Sequence, residues 1–379
     1  MNYLRLSKRD VRYLDGIYKI GNILAISPGY NFEKDVILFP RLTKIYGFLA
    51  TMGLLALEIM TMSDNFHYFN YTQLTSAKVV SFINSSFLLA LVISMILSSC
   101  AYNQQSWTTL NKNFQYVDKQ LNNRNTTPKK FYKNIYFRGT VILGIVITSQ
   151  IYFVRQFQLS KTYLFHQICH FCELFTIILT HDIITIFKYR YRDLNKMLET
   201  DNYMKSKIIP SKNVVGFIRT VAQLRRTLTE NVTCFNTIFG WPLIFLFGRG
   251  VLQLLSSLQI LLFYLNLPKN VAADPFLIIF NLFIFIYILT CTTVIVMACD
   301  TVSSISKRTP LLCYKLQTLY KYDSLERKEL IIFANEANLD VVKFTAADFF
   351  EINRGTFFGM LSAAATYFII IIQFTIQNL

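Results

Sequence analysis

The sequence predicts an all-α, polytopic membrane protein with seven transmembrane helices, its N-terminus cytoplasmic and its C-terminus extracellular. Three observations carry this. The 379 residues are 53% hydrophobic and 15% aromatic, with a mean hydropathy of +0.37, which suits a chain solvated by lipid. Seven separate apolar stretches are each long enough to cross a bilayer core. The basic residues are confined to alternate connections between those stretches.

The expected spans are about Leu42–Met62, Ala77–Ala101, Ile135–Phe157, Tyr163–Phe187, Ile238–Leu265, Pro275–Ala298 and Thr356–Gln377. Residues 1–41 read as a polar, basic, peripheral and cytoplasmic segment. Residues 42–300 hold the first six helices and their connections, 301–354 a cytoplasmic helical region, and 355–379 the last helix. Of the 38 Lys and Arg, 33 fall in the N-terminal segment through Lys44 or within 102–138, 188–230 and 300–354. By the positive-inside rule those segments are cytoplasmic. The net charge of +16 then faces an anionic leaflet, and nucleic acid is not needed to explain it.

A G-protein-coupled receptor would carry its basic connections on the other set of loops. The first 34 residues show no signal peptide, because their basic residues interrupt any compact apolar core. The sequon Asn70-Tyr71-Thr72 falls outside and can accept a glycan, whereas those at Asn125 and Asn231 fall inside and stay bare. None of the seven cysteines lies in an extracellular segment, so no extracellular disulfide is expected. In the connection 300–354, Asp323-x-x-Glu326 reads as a capping box that opens a helix over 324–338. The connection 188–232 is partly helical by pattern.

The last stretch, Gly355–Leu379, carries no charge. Gly359, Ser362, Thr366, Gln373 and Gln377 share one face of its helix. A glutamine facing lipid leaves its amide unpaired, so that face meets protein or water. Spacing leaves two readings open: a helix–helix seam built on small residues and glutamine, or a pore lining.

The pair Thr366-Tyr367, five hydrophobic residues, then Gln373-Phe374 resembles the TY-x5-QF pattern of the last helix of insect gustatory receptors. The approach Phe344–Arg354 is similar to that family as well, so the motif resemblance covers about the last 40 residues. Helix number and orientation agree over the rest. The resemblance implies a ligand-gated, non-selective cation channel in the plasma membrane of a gustatory neuron. It implies four subunits, identical or mixed, held by the cytoplasmic region around a central pore. Thr366, Ile370, Gln373 and Phe374 would line or gate that pore, with Tyr367 packed against a neighbouring helix. No acidic ring in this helix provides strong cation selection. In the sugar-responsive branch a Glu often follows the TY pair; here it is Phe368, which points to bitter or other non-sugar tastants.

Polar groups gather in the outer half of the expected bundle. His166, His170 and Glu173 share a face of the fourth span. Asn84 lies on the second, Gln150 and Tyr152 on the third, Gln253 on the fifth. With the surrounding aromatics they form the expected small-molecule pocket, mostly apolar with a few polar fixers. The His-x3-His-x2-Glu spacing suits a divalent metal, but no other span offers a histidine, and no metal or cofactor is expected. An inter-helix network or a proton-sensitive contact accounts equally for the same face. Arg249, between two glycines in the fifth span, needs a buried partner, and Glu173, Asp182 and Glu58 are candidates.

Enzyme signatures are missing: no nucleotide-binding glycine fingerprint, nucleophile elbow or HExxH. The remaining alternatives are a secondary transporter using Arg249, His170 and Glu173, against which stands the lack of any internal repeat, and an obligate co-receptor subunit.

Overall fold

Apolar runs far longer than a bilayer needs build this molecule. The computed structural model describes residues 8–69, 75–122, 161–199, 211–265 and 275–376. In chain order these form α1 (Lys8–Ile23), a small hairpin β1 (Tyr30–Asn31) and β2 (Val36–Ile37), α2 (Pro40–Phe69), α3 (Thr75–Leu97) closed by a π-turn at Ser98–Tyr102, and α4 (Gln104–Asn122). There follow α5 (Lys161–Glu199), α6 (Ser211–Leu265), α7 (Pro275–Gln317), α8 (Leu325–Leu339), a hairpin β3 (Thr345–Ala346) and β4 (Phe350–Glu351), and α9 (Arg354–Ile376). Both hairpins are antiparallel two-residue ladders. The all-α, polytopic class is therefore the observed one.

Five of the described helices are long and apolar enough to cross a membrane, over Pro40–Met60, Phe82–Tyr102, Ile168–Glu199, Val214–Gln259 and Phe285–Gln317. They correspond to the expected first, second, fourth, fifth and sixth spans. The expected third span lies outside the described residues, as does Asn70. The 23 residues of α9 rise about 34 Å at 1.5 Å each, enough for the hydrocarbon core.

The main difference from expectation is helix length. Residues 188–199, 211–232 and 300–317, read as connections, continue their spans as helix. α5, α6 and α7 have 39, 55 and 43 residues. The reason is a sustained apolar face. Tyr191, Leu194 and Leu198 on α5, past the expected span end at Phe187, and Val221, Leu224 and Leu228 on α6, before the expected span start at Ile238, are all buried. Together with α4 and α8 they form a helical base.

The base is built on aromatic rings. Phe235 stacks on Phe239 at 4.8 Å, Phe344 meets Phe235 at 5.3 Å, and Trp107 meets Phe239 at 5.5 Å. Such pairs stabilise beyond the area they bury. The N-terminal segment is not peripheral as expected. Tyr18, Ile26, Ser27 and Tyr30 are buried, and the Tyr18 hydroxyl donates to Asn111 Oδ1 at 3.0 Å. Tyr18 also meets the Trp107 ring at 5.6 Å. Burial pushes its phenol well above the ordinary tyrosine range, so it stays a donor. The segment reads as polar because its buried residues are tyrosines and a serine, whose polar atoms are satisfied inside.

Three arginines of α6 fasten α8. Arg219 donates to Glu329 at 2.5 Å, and Arg226 pairs with Glu336. Between them, Arg225, fully buried, donates from Nη2 to the carbonyls of Ala337 and Asp340, both at 2.7 Å. Those carbonyls close the C-terminal end of α8, where a cation is favoured. The cap at the other end differs by one residue from the expected capping box. Ser324, not Asp323, is the N-cap, accepting from the Arg327 amide at 3.3 Å. Position three is then Arg327, and Glu326 sits one place too early to reach back.

Pro242 interrupts α6. It has no N–H to offer the carbonyl of Ile238, four residues earlier. The Ser98 hydroxyl takes that carbonyl at 2.7 Å, and Asn103 in turn donates to Ser98 Oγ and to Thr237 O, both at 2.9 Å. The π-turn of α3 thus completes the ladder of α6. Two residues before Pro242, Gly240 admits the β3–β4 hairpin: a Cβ there would lie 2.7 Å from the Ala347 backbone nitrogen.

Candidate functional site

The polar cluster lies on the stretch of α6 beyond Pro242, away from the base. Arg249 is 13 residues past Asn236, the α6 side chain bonded to the base region through Lys343 O and the Thr345 amide. That separation is about 20 Å along the helix axis. A guanidinium buried here requires a counter-charge. Of the three candidates, Glu173 supplies it, in direct ion-pair contact with Nη1. Arg249 Nη2 stands 3.1 Å from His170 Nδ1. An arginine only donates, so in this contact Nδ1 is the acceptor. Glu173 Oε2 lies 3.4 Å from the same nitrogen. His170 and Glu173 are one helical turn apart on α5, which is why one arginine reaches both.

A second pair sits one turn along α6. Asn84 of α3 donates to Gln253 Oε1 at 2.6 Å. α3 and α6 approach closely because Gly248 has no side chain: a Cβ there would lie 2.4 Å from the Phe87 ring. Phe87 in turn meets Phe245 edge-on at 5.9 Å. Among the described residues, two polar atoms of the cluster are buried without a hydrogen-bond partner, Arg249 Nε and Asn84 Oδ1. Glu58 of α2 is also buried. Helices α3, α5 and α6 therefore bring their polar side chains together in an apolar bundle.

Of the residues expected to line a pocket, the structure brings together His170 with Glu173, and Asn84 with Gln253. His166 is on α5 but its side chain lies outside the described residues, as do Gln150 and Tyr152 altogether. Among the described residues no group of three His, Cys, Asp or Glu side chains is placed to hold a metal. Glu173 is engaged by Arg249 instead. Asp182, the other carboxylate considered for Arg249, lies 3.5 Å from His181. Asn231, in a sequon, is fully buried and donates to Leu110 O at 3.2 Å, so folded protein offers it to no glycan. Sequence reading passed over Ser98 and Pro242. A proline inside an apolar run was the available signal.

α9 has two unlike faces. Ala364 is buried, and Phe357, Met360, Leu361, Phe368 and Ile372 are half-buried, against α6 and α7. Gly355, Gly359, Ser362, Thr366 and Gln373 are exposed. A Cβ at Gly359 would meet nothing within 4 Å. The polar stripe thus points away from the chain's own bundle and is no seam within it. Ile370 beside it is 39% exposed, and Tyr367 is 56% exposed. The Phe374 side chain lies outside the described residues.

A bundle of membrane-length helices crossed by one buried ionic island, with a last helix that turns its polar face outward, defines a multi-pass receptor-like membrane protein. The chain matches the model of the 7tm Chemosensory receptor family over residues 14–378, and it belongs to that family, which comprises receptors and not enzymes. Two solved structures of the insect olfactory receptor OR5 from Machilis hrabei share its fold. The structure in complex with eugenol has a TM-score of 0.57 at 14% identity, covering 96% of this chain and 99% of that one. The other has a TM-score of 0.58 at 13% identity, covering 96% and 98%. No curated protein sequence matches.

Proposed function

We propose that this chain is a gustatory receptor acting as a ligand-gated, non-selective cation channel of the plasma membrane, responding to bitter or other non-sugar tastants. One observation carries the reading. The helix bearing the TY-x5-QF pattern holds an uncharged polar face, Gly359, Ser362, Thr366 and Gln373, exposed to whatever surrounds the chain. In a tetramer, four such faces converge on a pore. Thr366 and Gln373 are its polar lining, and Ile370 and Phe374 its apolar constriction, which gates by dewetting. The N-terminus and the basic base are cytoplasmic, as the basic residues require.

The polar island is the ligand-binding region, with Asn84, Gln253, His170 and Glu173 as contacts and His166, Gln150 and Tyr152 completing the wall. Ligand shifts gating by binding the open arrangement better than the closed one. The OR5 relative was solved with eugenol, a small molecule, which supports a small-molecule ligand here. The test is whole-cell current from cells expressing this chain alone, under bitter compounds and sugars. A cation current evoked by a bitter compound, with altered permeation in Gln373→Ala, supports the reading. Substrate-dependent flux without channel conductance overturns it in favour of a transporter. Current that arises only with a second receptor co-expressed makes the chain an obligate subunit.

A further inference from the structure

A cleft of about 500 Å³ opens between α7 and the start of α9. Its level in the molecule is set by charge. Residues 275–299 of α7 are uncharged and Asp300 ends that run; Arg354 is the last charged residue before the uncharged 355–379. The two meet, with Arg354 Nε 2.8 Å from Asp300 Oδ2. The cleft therefore lies where two membrane-length apolar runs give way to charge, which is head-group depth.

Within the cleft the Arg354–Asp300 pair is self-neutralising, and two further lining charges of opposite sign remain. Lys307 makes no ion pair among the described residues. Glu351 has only Lys343, at 3.8 Å. Ser303 lines the cleft at 8% exposure, and its hydroxyl has no hydrogen bond among the described residues. The N-terminus of α9 adds donors. Asn353 Oδ1 accepts from the Thr356 amide at 3.1 Å, leaving the amides of Arg354 and Gly355 without helical acceptors. Gly355 keeps that end open: a Cβ would crowd the capping oxygen at 3.0 Å.

We propose that this cleft is a head-group site for a phosphate ester that also bears an ammonium, the phosphoethanolamine class. The phosphate takes the Lys307 ammonium, the Ser303 hydroxyl and the Gly355 amide. The ammonium, with three donors, takes Glu351. A site whose remaining lining charges are the Lys307 ammonium and a Glu351 carboxylate held only by a 3.8 Å contact to Lys343 matches a zwitterion better than an anion, which would face Glu351 with nothing to offer it. Lipid is the source that the depth favours. The proposal stands apart from the tastant region and does not depend on it.

Native mass spectrometry of the full detergent-purified chain tests it, using dioleoyl phosphatidylethanolamine, dioleoyl phosphatidylglycerol and soluble phosphoethanolamine. The phosphatidylethanolamine is expected to be retained about tenfold better than phosphatidylglycerol, the worth of one charge-assisted hydrogen bond. Lys307→Ala and Glu351→Gln, both surface changes, each remove that preference. Displacement of the lipid by soluble phosphoethanolamine at equal concentration keeps the site chemistry and moves the source to a soluble metabolite. Equal retention of the two lipids by the wild-type chain, a result that needs no variant, overturns the proposal. So does a preference that survives both substitutions.

Discussion

Two arginines on α6, Arg225 and Arg249, are both buried, yet they are held in opposite ways. Arg225 is surrounded by main chain: it donates to two carbonyls at the end of α8. Nothing there can move without unwinding a helix end. Arg249 is surrounded by side chains, Glu173 and His170, which can rotate or exchange partners. The first arrangement joins two helices permanently. The second is a buried charge balance that a ligand or a proton can disturb. The base is thus fastened through main chain, and the membrane half through side chains.

Four substitutions separate these roles. Glu173→Gln has the largest expected cost, about 4 kcal/mol, since it leaves the Arg249 charge buried without its counter-ion. The melting temperature of the purified protein falls accordingly, and Arg249→Met added to Glu173→Gln restores much of it. Arg225→Met removes two charge-assisted bonds and costs about 3 kcal/mol. Proteolysis then cuts first around α8, whereas Glu173→Gln leaves that region protected. Ser98→Ala strands the carbonyl that Pro242 cannot bond, at about 1–2 kcal/mol, read as a smaller melting shift. Pro242→Ala in the same background recovers it by restoring the helical N–H. Gln373→Ala changes an exposed residue and leaves the stability within about 0.5 kcal/mol of wild type, while altering ion permeation. Equal losses from Glu173→Gln and Arg225→Met, with the same protease sites, would erase the distinction between base and membrane half.

Much of this organisation can be read from residue order. Uncharged runs mark the spans, because each charge in lipid is costly. Arg249 announces itself as a buried cation in need of a partner, but residue order cannot choose among Glu58, Glu173 and Asp182. That choice depends on how α5 rotates against α6. The continuation of α5, α6 and α7 into the base is hidden because their charged faces look like loops when counted by composition. Their apolar faces are visible only at helical period. The burial of Tyr18 and Ser27 is hidden for a related reason: polar side chains paired inside a core resemble polar side chains in water. The Ser98 bond to Ile238 joins residues 140 positions apart, and no local pattern encodes it. The outward stripe of α9 is the reverse case. Its spacing shows a polar face, and only the packed opposite face, Phe357 to Ile372, shows which way it looks.

The central claim is that this stripe lines an ion pathway. Substituted-cysteine accessibility tests it most directly. Single cysteines at Gly359, Ser362, Thr366 and Gln373, and on the packed face at Phe357, Ala364 and Phe368, are exposed to a charged thiol reagent during ligand-evoked current. The account predicts block at the first set and no effect at the second. Block at Ala364 and Phe368 with none at Thr366 and Gln373 would contradict it.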